Sequence, residues 1–268
     1  HRSVIRGLAA RRRRGELPQG PPPFSALKGG MQRLVETLAN ALSDRVDIRT
    51  GTPIDVIRRS DSGYELVGPD PLRASSVIVT VPAFDAARVL RELSPHASRL
   101  LAGIEYSPSV NVTLAYPPGR VDIPSGTSGV LVPSREGMTI SACTWWSVKW
   151  PDASPNSFLV RCFVGRDSDD PGALLDEDEL VTRCISDVSD LTGTVVSPEK
   201  TLVTRWNRGL PKYRVGHLDR VTSIEKSLEE TPGIAVAGAA YRGSGLPDCI
   251  RQAQQAAIRV LGDTAQSH

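Results

Sequence analysis

The chain has 268 residues, 40% of them hydrophobic and 23% charged, with a formal net charge of +2. That composition can bury a core as one or two domains and gives no general case for nucleic acid as a partner. No run approaches the roughly 18 apolar residues of a membrane span, and no apolar signal region opens the chain; the expectation is a cytoplasmic protein, with membrane contact at most peripheral through the basic run Arg11 to Arg14.

Residues 1–24 are basic and then proline-rich, with Pro18 and Pro21 to Pro23 interrupting regular structure, and read as a linker or remnant. The chain opens on His1, so a preceding segment is expected to be missing. Behind Gly29 and Gly30, the residues Leu34, Val35, Leu38 and Leu42 recur at helical spacing from Met31 onward. Strand-like runs follow between residues 46 and 82: VDIRTG, PIDVIRR, YELVG and SSVIVTVP, the last apolar enough to be buried on both faces. Short helical signals around Ala86 to Leu93 lead into VNVTLAY, GVLVP, MTISACTWW and FLVRCFVG, residues 110 to 165, which read as a largely antiparallel sheet. A helix is expected from about Asp178 to Leu191, its apolar face formed by Leu180, Val181, Cys184, Val188 and Leu191, with acidic residues at its N-terminal end. The strand TLVTRW from Thr201 is expected to return the chain to its first domain. The fold class is therefore α/β (α+β), with no internal repeat.

Cys143, Cys162, Cys184 and Cys249 form no CxxC pairing, and no HExxH or GxSxG pattern occurs. A metal site and a hydrolytic nucleophile are both without candidates, and the buried-looking Cys162 and Cys184 read as core residues. The segment VAGAAYRGSGLPDCIRQAQQAAIRVL, residues 236 to 261, holds more chemistry. A short apolar strand runs into a turn in which Gly238, Gly243 and Gly245 let backbone approach a ligand, and Pro247 suits the first turn of the helix that follows. Such a helix N-terminus favours phosphate or an electron-rich ring. An ordinary strand-to-helix connection has the same pattern.

This segment, with Tyr241, Gly243, Asp248, Cys249 and Ile250, resembles the C-terminal flavin segment of the protoporphyrinogen and coproporphyrinogen oxidases of the flavin amine-oxidase superfamily. The stretches FSALKGGMQRLVETLANAL, ACTWWSVKWP and TRWNRGLPKYRVGH extend the resemblance from about Ser25 onward, and Pro211, Tyr213, Gly216 and His217 point to the porphyrinogen branch. The resemblance implies a partial FAD-binding Rossmann-like domain with an inserted substrate domain. Its expected boundaries are 25–82 and 200–262 for the FAD segments and 83–199 for the substrate domain, with a tail at 263–268. It implies FAD contacts at Ile54, Trp206, Gly238, Gly245, Leu246 and Pro247, and a tetrapyrrole held between Leu131 and Phe163. Ile54, Leu131 and Phe163 would be equally ordinary as strand or core residues, and an unrelated core tryptophan is the lesser alternative for Trp206. No protein side chain is implied as catalytic, and Tyr213 and His217 are read as structural. The implied reaction oxidises coproporphyrinogen III or protoporphyrinogen IX during haem synthesis, flavin passing hydrogens in pairs to oxygen to give hydrogen peroxide. Other enzymes of that route are further partners it suggests. The dinucleotide fingerprint GxGxxG does not occur in this sequence. The chain alone is accordingly expected to be inactive; a non-catalytic tetrapyrrole-binding module and an amine-oxidase-like flavoprotein are the alternatives.

Overall fold

The computed structural model describes residues 10, 13–14, 25–166 and 170–265. Arg11, Arg12, the proline-rich stretch 15–24 and residues 266–268 lie outside them. The chain divides into two compact units, residues 1–48 with 150–153, and residues 49–149 with 154–268. In the first unit, helix α1 (Gln32–Leu42) forms where the helical spacing predicts it and carries no buried residue. Gly29 and Gly30 precede it at φ +90° and +91°.

The second unit holds the sheets. Strands β1 (Val56–Ser60), β2 (Gly63–Val67) and β3 (Leu72–Ala74) form an antiparallel meander. Gly63 lies at φ +129°, and a Cβ there would stand 2.5 Å from the Ala74 carbonyl oxygen, so the tight β1–β2 turn needs glycine. The run VDIRTG, expected as a strand, forms none: residues 46–51 lie in bends and irregular chain and join no ladder among the described residues. Its alternation is real, but Val46 and Ile48 are exposed, and alternation without a partner strand makes no ladder.

Strand β4 (Val77–Val79) pairs in parallel with β10 (Ile234–Val236), more than 150 residues later in the chain. Around the parallel pair a first core gathers Ile57, Tyr64, Val79 and Ile234. Helices α2 (Ala83–Val89) and α3 (Pro95–Ala102) add Ala86, Leu90 and Leu101, and α6 (His217–Glu229) adds Val221, Ile224 and Leu228. Each fully buried aliphatic side chain of this size contributes about 1.5–3 kcal/mol against remaining in water.

The intervening chain forms a five-stranded antiparallel sheet in the order β6 (Gly129–Leu131), β7 (Ala142–Trp145), β8 (Phe158–Val164), β5 (Tyr106–Tyr116), β9 (Lys200–Pro211). Along β5, Val110, Val112, Leu114 and Tyr116 are buried while Ser109, Asn111, Thr113 and Ala115 are half-buried, the period-two signature of a sheet with one covered face. Helix α5 (Glu177–Thr192) belongs to the second core, to which it gives Leu180, Cys184 and Val188. It is capped at Asp176, whose side chain accepts from the Glu179 N–H at 2.8 Å, and ends at Gly193 with φ +71°.

Helices α2 and α3, expected in the substrate domain from residue 83, bury their apolar faces in the first core, which runs on to Ile104. The strand from Thr201, expected to return the chain to its first domain, pairs with β5 along nearly its whole length, and the first core resumes only at Val221. The local pattern of TLVTRW marks a strand; its partner is chosen by the long β5 alongside it.

Candidate functional site

The glycine-rich turn leaves β10 at Val236 and enters α7 (Leu246–Ala265). Gly238 sits at φ +132° and Gly243 at φ +131°, both in conformations that side-chain-bearing residues avoid. A Cβ on Gly243 would stand 2.6 Å from Asp248 Oδ2 and 2.8 Å from Asp248 Cβ. Gly245, by contrast, has no left-handed φ, and its nearest neighbour would be the same carboxylate oxygen at 3.3 Å.

Side chains from α6, α7 and the segment after β9 fix the turn through its backbone. Gln252 Nε2 donates to the Gly243 carbonyl at 3.2 Å, while its Oε1 accepts from the Arg242 N–H at 3.2 Å. His217 Nε2 donates to the Tyr241 carbonyl at 2.9 Å, and the Tyr213 hydroxyl donates to the Ala239 carbonyl. The Tyr213 and His217 rings stack with centroids 4.2 Å apart at 15°. Arg242 is tied to Glu225 on α6 by an ion pair. These bonds hold the turn in shape and leave Gly245, Leu246 and Pro247 exposed at the start of the helix. Beside the turn, a cavity of about 110 Å³ lined by Tyr241, Gln252 and Arg259 is too small for a flavin ring or a tetrapyrrole.

The other expected residues lie on the half-open face of the five-stranded sheet. Register places Leu131 opposite Ala142, Ala142 opposite Phe163, Phe163 opposite Asn111 and Asn111 opposite Thr204, one continuous cross-strand row. Trp206 lies two residues further along β9 on that same face, opposite Ser109. Leu131 is 86% exposed and Trp206 46% exposed, so neither is the core residue that its apolar character would allow; Phe163 is half-buried. Ile54 is elsewhere: just before β1, it packs against the first core, and its carbonyl accepts from Arg88 Nη1 at 3.0 Å.

Two polar residues on this face escaped the sequence reading. Asn111 Oδ1 and Arg161 Nε are covered from solvent and have no hydrogen-bond partner among the described residues. Arg161 lies in the next row, opposite Thr113 and Thr144, with its guanidinium stacked 3.8 Å from the Trp146 ring centroid. Burial pushes its pKa down. The alternation in FLVRCFV, which sets Arg161 and Phe163 on one face, was the available signal. On the opposite face, Cys143 and Cys162 are cross-strand neighbours, buried with Cys184 in the second core. Hydrogen bonds that the Cys162 thiol makes with Cys143 and Cys184, together with burial, hold it well above the ordinary range, as expected of inert core thiols.

The family model described as "Flavin containing amine oxidoreductase" matches residues 1–261. The chain belongs to that family. Within it, the chain is 34% identical over 269 residues to a coproporphyrinogen III oxidase of Bacillus subtilis, covering 97% of this chain and 57% of the relative. A coproporphyrinogen III oxidase of Propionibacterium freudenreichii is 35% identical over 244 residues, covering 89% of this chain and 45% of the relative. A crystal structure of a proposed protoporphyrinogen oxidase from Exiguobacterium sp. 255-15 superposes with a TM-score of 0.82 at 31% identity, covering 93% of this chain and 55% of that one. The chain thus spans about half the length of the relatives it matches.

The family is one of flavin proteins, and the turn fits a flavin on structural grounds. A Cβ on Gly238 would meet only the Thr80 carbonyl oxygen, at 3.6 Å, so the backbone is approachable there. The N-terminal end of α7, a helix of 20 residues, directs its positive dipole end toward the exposed residues 245–247. Among the described residues, no helix is long and apolar enough to cross a membrane.

Proposed function

We propose that this chain is the substrate-holding and flavin-closing part of an FAD-dependent porphyrinogen oxidase of haem synthesis, acting in the cytoplasm on coproporphyrinogen III. The observation that carries the reading is the single sheet face that bears Leu131, Phe163 and Trp206, three residues separated by as many as 75 positions. The names of the two bacterial relatives favour coproporphyrinogen III over protoporphyrinogen IX. Oxygen is the final acceptor, with hydrogen peroxide as the by-product.

When bound, FAD supplies the hydride chemistry and accepts the substrate's hydrogens in pairs. The protein's part is placement. Leu131 and Phe163 offer an apolar surface to the flat rings of the tetrapyrrole and exclude water from it. The backbone of Gly245, Leu246 and Pro247 would hold the flavin, with the α7 dipole favouring added negative charge on it. Gly238 admits the cofactor at the start of the turn. Tyr213 and His217 act through the carbonyls they bind, keeping the turn in register with the end of β9 and the start of α6. Trp206 presents a flat face toward the cofactor from the sheet. Ile54 would meet the adenine end through its backbone.

Replacing Phe163 by Ala, assayed with FAD in excess, should lower kcat/KM for coproporphyrinogen III by about tenfold or more, since a contact worth about 1.5–3 kcal/mol is lost, and should leave the dependence of turnover on FAD concentration unchanged. Normal kinetics in that variant would return Phe163 to a purely structural role. A second reading, a tetrapyrrole-binding module without its own redox activity, draws on the absence of GxGxxG from the sequence. Tetrapyrrole binding with no flavin retention or turnover would favour it.

A further inference from the structure

Arg161 is half-buried yet lacks, among the described residues, the carboxylate partner that several exposed arginines have. Arg58 pairs with Glu92, Arg183 with Glu179, Arg214 with Glu105 and Arg242 with Glu225, each at ordinary ion-pair distance or closer. Arg161 makes no hydrogen bond or ion pair among the described residues, and its Nε is covered from solvent. A half-buried cation without an anion is unfavourable, because it loses water and receives nothing in exchange. Packing nevertheless holds it in place. The guanidinium carbon lies over the Trp146 ring, 3.8 Å from its centroid, which restrains the group and spares part of the entropy that a free arginine would lose on binding.

Its neighbours on the same face define what it could bind. Phe163 lies two residues away on β8, about 7 Å along the strand, with Ala142 and Leu131 beyond it in the same row. An apolar platform with a partnerless cation at its border suits a flat apolar ligand carrying carboxylates on its rim. We propose that Arg161 recognises a propionate carboxylate of the tetrapyrrole, taking it through the two terminal nitrogens while Trp146 supports the back of the guanidinium; this rests on the porphyrinogen reading above. The carboxylate provides the missing counter-charge, and the planar fork of arginine matches its two oxygens. Coproporphyrinogen carries propionates on all its pyrroles, so one of them can reach this border while the rings lie over Phe163.

The test uses coproporphyrin III and its tetramethyl ester as probes, with binding to the protein followed by porphyrin fluorescence. Arg161→Met keeps the apolar stem over Trp146 and removes the charge; it should weaken binding of the free acid by about ten- to a hundredfold, the loss of one charge-assisted hydrogen-bonded contact. The ester, which has no carboxylates, should bind wild type and variant alike. Arg161→Lys, which keeps a charge but not the fork, should fall between them for the free acid. Equal weakening of acid and ester would mean that Arg161 only shields Trp146, and unchanged affinity for both would mean that it does nothing for binding; either overturns the proposal. If Arg161→Met does not fold, Arg161→Gln carries the same expectations. Wild-type protein that binds neither probe would overturn the porphyrinogen reading along with this one, whereas wild type that binds both with unaltered variants overturns this one alone.

Discussion

Gly243 and Gly245 stand two positions apart in the same turn, and the structure gives them different roles. Gly243 is held at φ +131° with Asp248 against the place a side chain would occupy, so Gly243→Ala should cost about 1–3 kcal/mol and lower the Tm by about 2–4 °C per kcal/mol. Gly245 has an ordinary φ and meets only the movable end of Asp248 at 3.3 Å. Gly245→Ala should therefore melt within about 1 °C of wild type while raising the FAD concentration needed for half-saturation, if backbone at this position lies against the ring. Thermal melts run beside FAD titrations distinguish the two, and a Gly245→Ala protein with unaltered FAD affinity would remove this position from the cofactor contact. A sequence reading that treats the turn's glycines as equivalent misses the distinction, because φ is set by the path of the chain and not by residue type.

Helix α5 is tied to the segment before β7 by one buried carboxylate. Asp187 Oδ2 accepts from the Ile140 N–H at 2.9 Å on a residue only 8% exposed. Burial pushes the Asp187 pKa up, and its bonds to the Ile140 and Thr139 amides and the charge of Arg166 only partly oppose this. A raised carboxylate pKa means that the folded state holds its proton to higher pH than the unfolded chain does. The resulting penalty is absent below the unfolded value near 4 and grows as pH rises toward the folded value. Asp187→Asn keeps an oxygen for the Ile140 amide and removes the charge. Its Tm relative to wild type should rise between pH 4 and pH 7, by about 2–4 °C for each kcal/mol of relieved burial. A difference that stays constant or shrinks over that range would show that the folded pKa is not raised. The helix itself is legible in sequence, from Asp176 as cap to Gly193 as stop; the use of Asp187 to fasten it to Ile140 is not, because the partners are 47 residues apart.

Over the whole molecule, cofactor retention should be weak. Dinucleotides are gripped at the pyrophosphate by a glycine-rich turn after a first strand, and this chain contains no GxGxxG. The α7 turn, on the reading above, faces the ring end of FAD. The 268-residue chain mixed with FAD should therefore emerge from gel filtration with far less than one flavin per chain. A visible spectrum of stoichiometric flavin protein would contradict this and move the pyrophosphate grip into the residues present. Helix α7 also shows an exposed apolar stripe of Leu246, Ile250, Ile258 and Leu261 opposite the Ala256 and Val260 it buries, and nothing in the structure shows what covers it.

The antiparallel character of residues 106–164, the α5 boundaries, the flavin family and the strand-turn-helix at the C-terminal end could all be read from sequence. Period-two alternation, caps and glycine spacing are local, so a window of about ten residues carries them. Strand partnership could not be read this way. β9 joins β5, α2 and α3 bury themselves in the first core, and residues 46–51 join no strand ladder among the described residues, each outcome decided by competition among segments distant in the chain. The same holds for the candidate site. The sequence names Leu131, Phe163 and Trp206 separately and passes over Arg161. Their common face exists because the β6–β7–β8–β5–β9 register aligns residues up to 75 positions apart, and a shift of one residue in any of those pairings would turn the shifted strand's side chains to the other side of the sheet.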